Sequence, residues 1–239
     1  MKIKLFTIPN LLTLMNLLCG AIATVHALVL SDLTGAFCWI LLAAVFDFFD
    51  GFVARLLHIP SPLGVQLDSL ADDISFGLAP AAMLYALYQR MPGIWLGEGC
   101  SCGDHFGWIV FVFSAFAALR LAKFNIDESQ HAEFCGLPTP AATLLCASVG
   151  MLSERCGLCM EREWVLTLAV VTALLMISPI RMFALKFKGF GWKGNQIRYL
   201  FLLGCCALIV ALREYAIPAI IALYVVISTV RWLFVRQKE

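Results

Sequence analysis

The 239 residues are 62% apolar and only 14% charged, with a mean hydropathy of +0.89. Soluble domains average about 45–50% apolar and about 25% charged, so the composition excludes a disordered chain and argues against a single soluble core. A net charge of +1 excludes the overall basic field that a nucleic-acid partner would need. Against this apolar background five aspartates crowd into one short stretch: Asp47, Asp50, Asp68, Asp72 and Asp73.

Taken in chain order, the apolar runs predict an all-α, polytopic transmembrane helical bundle in a lipid bilayer. Helices are expected over about 11–30, 34–57, 67–89, 106–125, 139–153, 164–185, 196–212 and 216–235. Eight spans fit the run lengths best, and six would also fit. Pro179 is expected to end or kink the sixth helix, because it has no N–H to donate. Residues 1–239 read as a single domain, with no repeat and no low-complexity linker. Lys2 and Lys4 before an apolar run resemble the start of a signal peptide. Polar Asn10, Thr13 and Asn16 interrupt that run and a second span follows at once, so a retained first span is expected.

Lys and Arg accumulate on the cytoplasmic side of membrane proteins. With both termini in the cytoplasm, Lys2, Lys4, Arg55, Arg120, Lys123, Arg181, Lys186, Lys188, Lys193, Arg198, Arg231, Arg236 and Lys238 fall inside. Only Arg90, Arg155, Arg162 and Arg213 fall outside. This sets the expected orientation, that of a protein of the cell's inner or plasma membrane. Six of the ten cysteines (Cys19, Cys38, Cys135, Cys146, Cys205 and Cys206) lie in or beside spans, where a thiol acts as a small hydrophobe. Cys100, Cys102, Cys156 and Cys159 fall in external loops. A disulfide between those loops is one reading and a zinc site the weaker one.

The aspartates are spaced for a purpose. A charge inside a span costs at least ~2.5 kcal/mol and marks function by default. Asp47 and Asp50 are three residues apart and share a helix face near the inner end of the second span. Asp68 and Asp72 are four apart and share a face near the start of the third. The short intervening loop makes these helices antiparallel neighbours, so four carboxylates should converge at the cytoplasmic boundary. Arg55 alone is too little compensation for them. An all-oxygen donor set points to Mg2+ or Mn2+, and two ions per site would clamp a phosphoryl group during displacement. Small Gly51 and Ala54 beside the acids let a substrate approach the backbone. Asp73 points about 100° away from Asp72 and is set apart from the cluster.

These residues carry a resemblance. Asp47-x2-Asp50-Gly51-x2-Ala54-Arg55-x8-Gly64-x3-Asp68-x3-Asp72 is similar to the signature of the CDP-alcohol phosphotransferases, with every fixed position present. Three further blocks resemble the integral-membrane, serine-accepting branch of that family: Ile8–Gly20, Leu67–Asp72 with Ser75–Pro80, and Ala118–Asn125 with Gly136–Pro140; Asp73 stands where that branch leads one to expect an apolar residue. The resemblance covers about residues 5–145; residues 146–239 match only as apolar helices.

The resemblance implies a homodimeric membrane enzyme whose active site opens to the cytoplasm. It would transfer a phosphatidyl group from CDP-diacylglycerol to L-serine, releasing CMP. Asp47, Asp50, Asp68 and Asp72 would hold metal, and Asp72 would also be the general base. Asn10, Thr13, Asn16, Gly51, Ala54, Arg55 and Gly64 are the candidates for CDP-lipid contact. Helix capping is an alternative for Asn10, and an anchoring role is one for Arg55. Arg120, Lys123 and Asn125 are candidates for the serine carboxylate or phosphate, or else positive-inside anchors. Glycerol 3-phosphate or inositol phosphate as acceptor is the nearest alternative. An ion-coupled transporter is more distant, because the second half has no matching charges.

Overall fold

α1 (Ile8–Leu28) starts where the sequence supplies a cap. The Thr7 side chain accepts from the Asn10 N–H, and Pro9 sits in the first turn where a missing N–H costs nothing. α2 (Leu33–Leu56) is capped by Asp32, whose carboxylate accepts from the Gly35 N–H at 2.7 Å. The two form a tight hairpin. Small residues Ala23, Ala27, Ala36 and Ala43 are fully buried along it. The structure is a computed structural model and describes residues 5–59, 61–93, 105–126, 134–183 and 195–236.

α3 (Pro62–Arg90) is the central rod. Ser61 caps it through the Gly64 N–H at 3.0 Å, so it begins five residues before the apolar run that announced it. It is interrupted once, by a π turn at Asp73–Leu78. Beyond that turn Ala79, Pro80, Ala81, Ala82, Met83, Leu84, Leu87 and Tyr88 are all buried, against α1, α4 (Gly107–Ile126), α5 (Thr139–Cys156) and α6 (Arg162–Ile177). α6 stops at Ile177, two residues before Pro179, rather than running to 185. A two-residue strand β2 (Arg181–Met182) follows and pairs antiparallel with β1 (Phe134–Cys135), an element too short to announce itself by alternation. Gly136 makes that corner possible. Its φ is +80°, and a Cβ there would lie 2.1 Å from the Met176 carbonyl oxygen.

α7 (Gln196–Leu212) and α8 (Ala216–Arg236) form a second hairpin through a 3₁₀ turn at Arg213–Tyr215. α8 packs on α5, and α7 touches chiefly α8. Among the described residues five stretches are long and apolar enough to cross a membrane: Ile8–Leu28, Leu33–Leu56, Pro62–Arg90, Gly107–Ile126 and Gln196–Phe234. The last contains both α7 and α8. α5 and α6 fall short of that standard; α6 has only 16 residues where about 20 span the hydrocarbon core.

The two ends of the bundle differ in charge. Arg90 pairs with Glu154 at 3.5 Å and Arg155 with Glu214 at 3.6 Å, while Arg162 Nε donates to the Met91 carbonyl. The expected outer arginines are thus gathered at one end, and the aspartates lie toward the other. Cys156 and Cys159 are exposed at the arginine-rich end and form no disulfide among the described residues. Cys100 and Cys102, their proposed partners, lie outside the described residues.

Candidate active site

α1, α2 and α3 bring the acidic residues together. One carboxyl oxygen from each of Asp47, Asp50 and Asp68 lies within 4.8 Å of the other two. At 1.5 Å per residue, the four acids sit about 9–15 Å inside the helix ends, within the bundle rather than at its rim. The expected convergence of acids from α2 and the start of α3 is present, and α1 packs against both helices and closes the back of the site.

α1 also orients the acids. Thr13 Oγ1 donates to Asp50 Oδ2 at 2.6 Å, and Asn16 Nδ2 donates to Asp72 Oδ1 at 3.0 Å. Thr13 and Asn16 are one turn apart, so a single face of α1 holds one acid from each neighbouring helix. Asp50 is buried and Asp47 and Asp68 are half-buried. Asp47 and Asp72 stand within hydrogen-bond reach of each other. Among the described residues none of the four makes an ion pair with Lys, Arg or His. Such clustered carboxylates need a cation or a shared proton.

A cleft of about 140 Å³ opens beside the acids, lined by Asn10, Thr13, Asp50, Gly51, Gly64 and Asp68, with Ala54 and Ser61 at its wall. A Cβ on Gly51 would meet nothing within 4 Å, so that glycine faces open space. Asn10 lines the cleft, but its amide donates to the Leu5 carbonyl at 2.9 Å, a local role at the start of α1. Arg55 is exposed and its Nε turns back to the Gly51 carbonyl at 3.0 Å. Ser61 reaches the site unforeseen; the signal was a serine followed by proline at a helix start.

Arg120 and Lys123 line a separate cavity of about 260 Å³, with Leu119, Phe124, Cys135 and Met176. Arg120 Nη1 donates to Thr139 Oγ1 at 2.7 Å, and its buried Nε has no partner among the described residues. A buried guanidinium N–H with nothing to bond is an unsatisfied donor suited to an anion. Asn125 is exposed and donates to Ser69 Oγ at 2.7 Å, a contact between α4 and α3 rather than part of that cavity.

The donor set fits a divalent ion. For oxygen ligands at about 2.0–2.6 Å, opposite oxygens around one ion are separated by no more than about 4–5 Å. The Asp47, Asp50 and Asp68 oxygens satisfy that limit.

Membrane-length helices around an oxygen-only acidic centre define a polytopic membrane protein with a candidate divalent-metal site. The chain belongs to the CDP-alcohol phosphatidyltransferase family of enzymes, which it matches over residues 6–187. Curated relatives named CDP-diacylglycerol–serine O-phosphatidyltransferase match it, some over nearly the whole chain and some over part of it. That of Helicobacter pylori is 30% identical over 243 residues, covering 98% of this chain and 94% of the relative. That of Methanocaldococcus jannaschii is 33% identical over 231 residues, covering 95% and 96%. That of Bacillus subtilis is 38% identical over 137 residues, covering 56% and 70%. The chain is therefore an integral membrane transferase of phospholipid biosynthesis.

Proposed function

We propose that this enzyme transfers the phosphatidyl group of CDP-diacylglycerol to the hydroxyl of L-serine, giving phosphatidylserine and CMP. The observation that carries this reading is the convergence of the Asp47, Asp50 and Asp68 oxygens beside a cleft, in a chain whose full-length relatives bear that activity in their names.

In this reading Asp47, Asp50 and Asp68 hold Mg2+ or Mn2+, two ions in the complete site with Asp72 sharing one. Held there, the metal would supply positive charge against the diphosphate. Gly51, Ala54 and Gly64 let the nucleotide diphosphate lie against the backbone, with Asn10, Thr13 and Asn16 beside it. Arg55 is placed at the rim, where the phosphates enter. Asp72 takes the proton of the serine hydroxyl as that oxygen attacks the lipid-side phosphorus; CMP leaves with the electron pair of the broken P–O bond. Asn16 holds the Asp72 carboxylate in a single orientation, which makes a modest base effective.

Arg120 and Lys123 receive the serine carboxylate in their cavity, and Asn125 steadies the helix that carries them. The acidic site faces the cytoplasm. The gathering of Arg90 and Arg155 with acidic partners, and of Arg162 with the Met91 carbonyl, at the far end supports this, because Arg55, Arg120, Lys123, Arg181, Arg198 and Arg231 then fall on the inner side. Eight spans, cytoplasmic termini and a homodimer complete the proposal.

The test is CMP release by the purified protein from CDP-diacylglycerol, with serine, glycerol 3-phosphate or inositol phosphate in turn. Release with serine alone is expected. Release only with another acceptor would keep the family and overturn the substrate.

A further inference from the structure

The π turn at Asp73–Leu78 begins one residue after Asp72, and it has an identifiable cause. Pro80 has no N–H, so the Phe76 carbonyl four residues before it loses its α-helical partner. The ladder adjusts by one residue, and the Ala79 N–H reaches back five positions to the Ile74 carbonyl. π turns of this kind occur often at functional sites. Two hydroxyls, one from another helix and one from the turn itself, tie down the disturbed region. Thr143 Oγ1, on α5, donates to the orphaned Phe76 carbonyl at 2.6 Å. Ser75 Oγ, within the turn, donates to the Asn16 carbonyl on α1 at 3.0 Å. Ser75 and Thr143 are buried.

The geometry has a consequence for the acids. Residues 79–90 are fixed by the core, so the face that Leu67–Asp72 presents depends on what happens between. A π turn takes up one extra residue, which rotates the first half of α3 by about 100° relative to an unbroken α-helix. Asp68 and Asp72 point at Asp47 and Asp50 only with that rotation in place. Asn16 couples the two: its carbonyl receives Ser75, and its side-chain amide holds Asp72. Gly20, one turn on, lets α1 come this close. A Cβ there would lie 2.6 Å from Ser75 Cα.

We propose that Ser75 and Thr143 are positioning residues, which lock the π turn and thereby aim the Asp72 carboxylate at the reacting hydroxyl. They touch neither substrate nor metal. The proposal rests on the reading of Asp72 as the base, and the experiment separates the two.

Full-length Ser75→Ala, Thr143→Val, Thr143→Ser and Asp72→Asn are compared as purified protein in micelles. Steady-state kinetics are measured for both substrates, with calorimetric binding of CDP-diacylglycerol. Loss of either clamp should lower kcat about ten- to hundredfold. KM for both substrates and the affinity for CDP-lipid should stay within about twofold. Thr143→Ser, which keeps the hydroxyl, should restore kcat. Ser75→Ala removes a single oxygen and reads the second clamp from a different contact, should Thr143→Val fold poorly. Unchanged kcat in both Ser75→Ala and Thr143→Val, with Asp72→Asn inactive, would overturn the clamp alone. So would a fall in kcat matched by lost CDP-lipid binding, or one that Thr143→Ser does not rescue. Normal turnover in Asp72→Asn would overturn the base assignment, and the clamp with it.

Discussion

At the scale of single residues, the acids differ in the partners that hold them. Asp50 is held by Thr13, and Asp72 by Asn16. Thr13→Val keeps the shape but removes the donor from a buried carboxylate. It is expected to weaken metal binding about tenfold, read by Mn2+ titration with electron paramagnetic resonance. Asn replacing Asp47, Asp50 or Asp68 removes charge from the oxygen cluster and should abolish metal binding and turnover together. Asp72→Asn should abolish turnover while CDP-lipid still binds. On the acceptor side, Arg120→Lys gives up the planar fork that suits a carboxylate. It should raise the KM for serine about tenfold or more and leave that for CDP-diacylglycerol unchanged; an unaltered serine KM would remove Arg120 from the acceptor site.

At the scale of elements, the apolar runs locate the helices but start α1 at 11 and α3 at 67, three and five residues late, and they do not show internal breaks. Thr7, Asp32 and Ser61 announce α1, α2 and α3 by the ordinary chemistry of an oxygen before a free N–H. Residues 67–89 read as one unbroken helix, because periodicity averages over a single extra residue. Pro80 was the available sign of the π turn, but a proline in a membrane helix does not say how the ladder will adjust. The acidic pairs were legible for the opposite reason: spacings of three and four residues place them on one face whatever the packing. What spacing could not show was that α1 packs against both helices and holds one acid of each, since that depends on tertiary packing.

Two element-scale outcomes follow. Asp32→Ala removes the cap of α2 and should cost about 1 kcal/mol, measured as a lower Tm in detergent. The Gly35 N–H, and then His26, hold the Asp32 carboxyl below its usual range. Its contribution is therefore present above the ordinary carboxylate pKa and is lost as pH falls through the lowered one. Gly136→Ala forces a Cβ at φ +80° against the Met176 carbonyl oxygen. It should cost at least ~1–2 kcal/mol, again seen in Tm.

At the scale of the whole molecule, the segregation of charge between the two ends gives the bundle a direction. Cys159 is exposed at the end that gathers Arg90, Arg155 and Arg162, and forms no disulfide among the described residues. A membrane-impermeant maleimide applied to intact cells should label it, and should not label a cysteine substituted for exposed Arg181 at the acidic end. The reverse pattern would invert the orientation. That inversion would put the acidic site on the side away from nucleotide.

The most direct test of the central claim uses the purified enzyme, CDP-diacylglycerol and labelled serine. Metal is first removed by chelation and then restored as Mg2+ or Mn2+. Label is expected to enter phosphatidylserine one-for-one with CMP release, only when metal is present, and not in the Asp50→Asn variant. Phosphatidylserine formed at the same rate in chelator, or by Asp50→Asn, would contradict the account.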